Sequence, residues 1–178
     1  MSAMGAIEMS ALGVAMRQWL WLYPIVEVVH LTGIALLFGS IAVLDLRLLG
    51  LSRSMPVRRL AAHVLPWTAA SFLLIVPSGL AMFVAHAGEL IASPVFGLKI
   101  GLILAAGANA GVFHAGVFRG ASDWDVNRAP PGAARLFAAL SLLLWVGVIA
   151  CGRLLAYTWK QTGNTGGTSR SRAVTRAA

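Results

Sequence analysis

Polar positions interrupt this chain at wide intervals, and the apolar runs between them have the length of membrane spans. Apolar residues dominate 22–44, 64–86, 94–118 and 136–157, each near the roughly 20 residues that a helix needs to cross a bilayer core. None shows the ten-residue alternation of a membrane barrel, so each run predicts a helix. The connections are short, which favours antiparallel neighbours. The expected architecture is all-α, a four-helix transmembrane up-and-down bundle over 19–160. An interfacial segment at 1–18 precedes it, and a flexible basic tail at 161–178 follows.

Composition strengthens that reading. Only 11% of the residues are charged and the mean hydropathy is +0.81, whereas a soluble domain carries about 25% charged residues. A net charge of +8 would suggest nucleic acid in a soluble protein. Here the cations flank apolar runs, so the expected partner is the lipid bilayer and not nucleic acid. The first connection carries Arg47, Arg53, Arg58 and Arg59, and the third Arg119, Arg128 and Arg135. The second has Glu89 and no cation before Lys99. The positive-inside rule then puts connections one and three in the cytoplasm and both termini outside. Lys160, Arg170, Arg172 and Arg176 in the tail pull the other way. Trp19, Trp21 and Tyr23 at one end of the bundle match Tyr157 and Trp159, as an aromatic belt requires. In 1–16 no cation precedes the apolar part, which argues against a secretion signal. Its four methionines fit an apolar surface better than soft-metal capture. Cys151 is the only cysteine, which excludes an internal disulfide or a thiolate cluster.

The first apolar run carries ionisable groups. At 100° per residue, Tyr23, Glu27, His30, Ile34, Phe38, Ile41 and Asp45 share one helical face. Charge at membrane depth is expensive, so that face is expected to look inward. The last run offers partners. Glu27 and Asp45 are 18 residues apart, as are Arg135 and Arg153. In an antiparallel pair, Glu27 would meet Arg153 and Asp45 would meet Arg135. Lys99 would join the first pair, giving a polar cluster of Glu27, His30, Lys99 and Arg153. Pro77, followed by Ser78 and Gly79, is expected to kink the second helix. Gly97, Gly101 and Ala105, then Gly107, Gly111 and Ala115, form small-residue ridges on the third. Such ridges admit close helix packing, or leave room for a flat cofactor.

The pieces YPIVEVVHLTGIALLFG, DLRLLG, FGLKIG, NAGVFH and LWVGVIACGRLLAY resemble a family of uncharacterised bacterial four-helix integral membrane proteins. The likeness covers 19–159, with E-x-x-H and D-L-R-L-L-G as its most specific parts. It implies the fold and the bacterial inner membrane, and no activity. His30, His63, His86 and His114 give a weaker resemblance to membrane b-type cytochromes, in which paired histidines hold haem. Depth along the helices pairs His30 with His86 and His63 with His114. On this likeness Lys99 and Arg153 would neutralise the haem propionates, with Glu27 beside them. Gly107 and Gly111 would give room to the ring. His63 and His86 stand about 34 Å apart on a straight helix, so two haems would couple poorly.

The leading functional expectation is a small haem b electron-transfer protein with a redox partner. The competing one is an ion, proton or small-anion carrier using Glu27, His30, Lys99 and Arg153. A third is an accessory subunit whose ridge docks a larger membrane complex or a second copy of the chain. No spacing for a di-metal site, phosphate loop or hydrolytic triad is present, which points away from hydrolysis and phosphoryl transfer.

Overall fold

A computed structural model describes residues 3–175, with side chains described over 4–157. The described elements are all helices: α1 (Ala3–Glu8), α2 (Ala11–Gln18), α3 (Leu22–Leu49), α4 (Val57–Ala85), α5 (Ala87–Ala92), α6 (Pro94–Ala115) and α7 (Gly132–Thr175). A 3-10 segment over Val117–Trp124 joins α6 to α7. Helices α3, α4, α6 and α7 (to Tyr157) are long and apolar enough to cross a membrane. The protein is a multi-pass membrane protein with a four-helix bundle, as the apolar runs predict. The tail at 161–178 lies outside the residues whose side chains are described.

Helix α4 starts at Val57, one residue after Pro56, so both Pro66 and Pro77 fall inside it. The bundle is closed unevenly. Helix α3 packs on α4 and on α7, and α6 packs on α7, but α4 and α6 never bring Cα atoms within 8 Å. Gly33 sets the closest approach: a Cβ there would lie 2.7 Å from Ile75 Cγ1. The ridge glycines of α6 do nothing of the kind. Gly97, Gly101, Gly107 and Gly111 have no neighbour within 4 Å of a built Cβ, so close packing within this chain is not their role.

The main buried cluster gathers at the arginine-rich end, where Leu44, Leu48, Val57, Ala61, Phe113, Trp124 and Ala138 meet. The D-L-R-L-L-G stretch organises that end. Gly50 closes α3 at φ +113°, a left-handed position suited to glycine. Arg47, only 2% exposed, donates from Nε to the Met55 carbonyl at 2.7 Å. Its Nη2 donates to the carbonyls of Arg53 at 3.2 Å and Asp125 at 3.0 Å. One guanidinium thus ties the first connection to the third. Asp125 completes the tie by accepting the Arg58 N–H of the first turn of α4 through Oδ1 at 2.9 Å, acting as a cap supplied from outside the helix.

The opposite end is closed by the N-terminal helices. Ser10 caps α2 by accepting from the Gly13 N–H at 3.3 Å. Arg17 donates to the Ala85 carbonyl at 2.9 Å and to the Glu8 carbonyl at 2.6 Å. The Glu8 carboxylate accepts the Gly88 N–H at 2.7 Å. Met16 is buried beneath. Residues 4–18 are therefore fastened to the ends of α4 and α5 and belong to the bundle's packing.

Hydrogen bonds from a charged donor contribute about 1.5–3 kcal/mol each. Arg47→Met should therefore lower stability by about 3 kcal/mol or more in a thermal or denaturant unfolding experiment. Arg53→Met, whose guanidinium reaches only the Gly50 carbonyl, should change it by less than about 1 kcal/mol.

Candidate functional site

The polar face expected on α3 is turned only partly inward. Asp45 is buried, while Tyr23, His30, Ile34, Phe38 and Ile41 are half-buried, but Glu27 is exposed. Arg135 and Arg153 are exposed as well. Among the described residues no ion pair joins Glu27 to Arg153 or Asp45 to Arg135. Ser141 of α7 stands beside the Asp45 carboxyl instead. The two-pair match between the first and last spans is thus not formed. An 18-residue spacing fixes relative height on two helices, whereas the rotation of each is set by whichever apolar face packs best.

His30 is answered by α4. Its Nδ1 lies 2.9 Å from Ser78 Oγ and 3.2 Å from the Ile75 carbonyl. A Cβ on Gly79 would come within 3.1 Å of the ring. Pro77 removes a backbone donor, Ser78 returns a hydroxyl and Gly79 gives the imidazole room. Ser78 Oγ also donates to the Leu74 carbonyl. Lys99 of α6 lies within electrostatic range of His30, so these two of the four expected cluster members are near each other. A line of hydroxyls follows the α3–α4 seam: Ser40 Oγ is 2.8 Å from Thr68 Oγ1, and Ser71 donates to the Thr68 carbonyl at 2.6 Å.

The other histidines part company. His86 ends α4 edge-on to Tyr23, with ring centres 5.6 Å apart. His63 is exposed. His114 lies against Phe113 and Phe118, with Nδ1 2.9 Å from the Ala110 carbonyl. Among the described residues no group of three or more His, Cys, Asp and Glu side chains is arranged to hold a metal ion.

A site with unpartnered polar groups lies between all four long helices, toward the arginine-rich end. It is a cavity of about 160 Å³ whose walls include Leu37, Asp45, Thr68, Phe72, Gly107, Asn109, Phe113, His114, Phe137, Ser141 and Trp145. Three buried polar atoms on its lining residues have no partner within the protein: Asp45 Oδ2, Asn109 Oδ1 and His114 Nε2. Asp45 is 6% exposed and Asn109 8%. The Asn109 amide is oriented by Nδ2, which donates to the Phe137 carbonyl at 3.1 Å. Asp45, Asn109 and Ser141 come from three helices, and the Leu44–Trp124 cluster packs beneath them as a floor. Of the expected cofactor residues, Gly107 lines this cavity and Gly111 does not. Asn109 and Ser141 are not singled out by the sequence reading. One signal was available: Asn109 is the only side-chain amide in the four spans.

A family model described as "Family of unknown function (DUF6644)" matches residues 5–158. The chain belongs to this family. The match takes in the N-terminal cap, the cavity and all four spans. No curated protein and no solved structure matches the chain.

A buried acceptor left without a donor costs about 1–3 kcal/mol. If Asp45 serves function and not folding, Asp45→Leu should leave thermal stability unchanged or raise it by about 1–2 kcal/mol. A structural role for Asp45 would show instead as a loss of several kcal/mol in the same unfolding experiment.

Proposed function

We propose that this protein is a membrane carrier or channel-like protein that takes a small ion or polar solute into the cavity between its four helices. The observation that carries the reading is the set of three buried, unpartnered polar atoms on residues lining one cavity at membrane depth. Apolar replacements would remove that cost and keep the packing, so the polar groups are best understood as serving a guest. The volume agrees. About 160 Å³ is well below the roughly 300–1,000 Å³ of pockets for drug-sized ligands.

Two further features support movement over storage. The seam hydroxyls, Ser40, Thr68, Ser71 and Ser78, run from the cavity toward His30, about 22 Å along α3 from Asp45. Helices α4 and α6 keep their Cα atoms more than 8 Å apart and meet through the Phe83–Phe96 ring stack, a side-chain contact that can part while the Arg47 tie holds the floor. With the arginine-rich connections in the cytoplasm of a bacterial inner membrane, the cavity sits nearer the cytoplasm. His30 and Lys99 then sit nearer the outside. Asp45, Asn109 and His114 replace Glu27 and Arg153 as the central groups of the carrier reading.

The test is reconstitution into vesicles, with permeation of potassium, ammonium, acetate and glycerol followed by light scattering. At least one solute should cross faster than in protein-free vesicles, and Asp45→Asn should slow it about tenfold or more. Oxidised and dithionite-reduced spectra, after expression with ample haem, test the redox alternative on the same sample. A Soret band lost in His30→Ala, with permeation indifferent to Asp45→Asn, would overturn the carrier reading in favour of a haem b protein.

A further inference from the structure

The hydrogen-bonding polarity of the cavity narrows its guest, on the strength of the carrier reading above. Asp45 Oδ2 and Asn109 Oδ1 are acceptors. His114 Nδ1 faces the Ala110 carbonyl at 2.9 Å. A carbonyl only accepts, so Nδ1 carries the hydrogen, and in that tautomer Nε2 is a bare acceptor too. With the Asp45 carboxyl ionised, all three unpartnered atoms ask for donors. Asp45 supplies the only carboxyl on the wall, and no Lys or Arg lines it. A carboxylate with no cation of the protein beside it calls for a cationic guest.

We infer that the cavity is a site for ammonium or a short primary alkylammonium ion. Such a guest brings one positive charge and at least three N–H donors, one each for Asp45, Asn109 and His114. Phe72, Phe113 and Trp145 on the walls favour both the charge, through the ring faces, and a short alkyl group. Size sets the upper limit. A cavity of about 150 Å³ accepts a benzene-sized guest of six carbon atoms, so chains beyond butyl do not fit. An anion is rejected by three unpartnered acceptors, one of them an ionised carboxyl. A bare metal ion is poorly served by one carboxylate, one amide and one imidazole, and no three-residue ligand group is present among the described residues.

The experiment measures the unfolding midpoint of the purified full chain in detergent, titrated with ammonium, methylammonium or ethylammonium chloride. Potassium chloride and tetramethylammonium chloride serve as controls at equal ionic strength. A guest that binds the folded state raises the midpoint in a saturable way. At least one of the three donor-bearing ions should do so, and neither control should. Asp45→Asn should weaken the apparent affinity about tenfold or more, and Asn109→Asp, which adds a second carboxylate, should tighten it. Equal shifts from tetramethylammonium would show that charge without N–H donors suffices, and would overturn the inference. So would equal shifts from potassium, or an affinity indifferent to Asp45→Asn. Should Asp45→Asn not fold, the wild-type comparison with tetramethylammonium and the direction of the Asn109→Asp effect still decide. The two readings fail separately. Asp45-dependent permeation of acetate or glycerol without an ammonium shift removes this inference and keeps the carrier. An Asp45-dependent ammonium shift in a protein that permeates nothing keeps the site and removes the carrier.

Discussion

The Arg47 guanidinium is the constraint on which the rest of the molecule depends. It is a charge taken out of water and satisfied mainly by backbone carbonyls, those of Met55, Arg53 and Asp125. The desolvation of such a group is repaid only while those carbonyls stay in place. Holding Arg47 therefore joins the two arginine-rich connections at Met55, Arg53 and Asp125, and with them the start of α4. Leu44 and Leu48 pack on Val57, Ala61 and Trp124, and α3 is locked at one end. The floor of the cavity is built from the same residues.

From that end the bundle loosens. Two polar groups only two residues apart in sequence divide the work: Arg47 serves the connections, and Asp45 faces the cavity. Arg47 makes three hydrogen bonds to backbone carbonyls and keeps Nη1 buried without a partner, while the Asp45 carboxyl meets Ser141 and keeps Oδ2 without one. Farther along, α3 and α4 stay together through Gly33, His30 and Gly79, while α4 and α6 keep their backbones apart and touch through the stacked rings of Phe83 and Phe96. The N-terminal helices then fasten the far end through Arg17 and Glu8. A bundle tied at both ends, with α4 and α6 joined through side chains and not through close backbones, suits a guest that has to come and go.

Much of this was legible in the residues. Four apolar runs of spanning length fix the helices because a bilayer leaves few other ways to satisfy the backbone. Asp45 stood out as an ionisable group at the end of the first run, and His114 as one within the third. What the pattern did not give was rotation. In a water-soluble helix the apolar stripe marks the buried face, but in lipid both faces are apolar and the stripe vanishes. Glu27 was placed inward by its alignment with His30 and Asp45. It lies outward because the packed face follows Gly33, Leu37, Leu44 and Leu48. The α6 ridges misled for a similar reason, since small residues record where a backbone can approach and not whether one does. Asn109 was hidden in AAGANAG, where it reads as one more small residue. The N-terminal cap depends on Arg17 meeting carbonyls 9 and 68 residues away, which no local pattern reveals.

The central claim is that a solute from water reaches the polar wall formed by Asp45, Asn109, His114 and Ser141 inside the spans. Cysteine accessibility tests it directly. In a Cys151→Ala background, Ser141→Cys should react in intact membranes with a small ammonium-bearing thiosulfonate, and Leu143→Cys on the lipid-facing side should not. If Ser141→Cys stays unreactive while Ser122→Cys in the 3-10 segment is labelled, water does not reach this cavity, and the account of the site is contradicted.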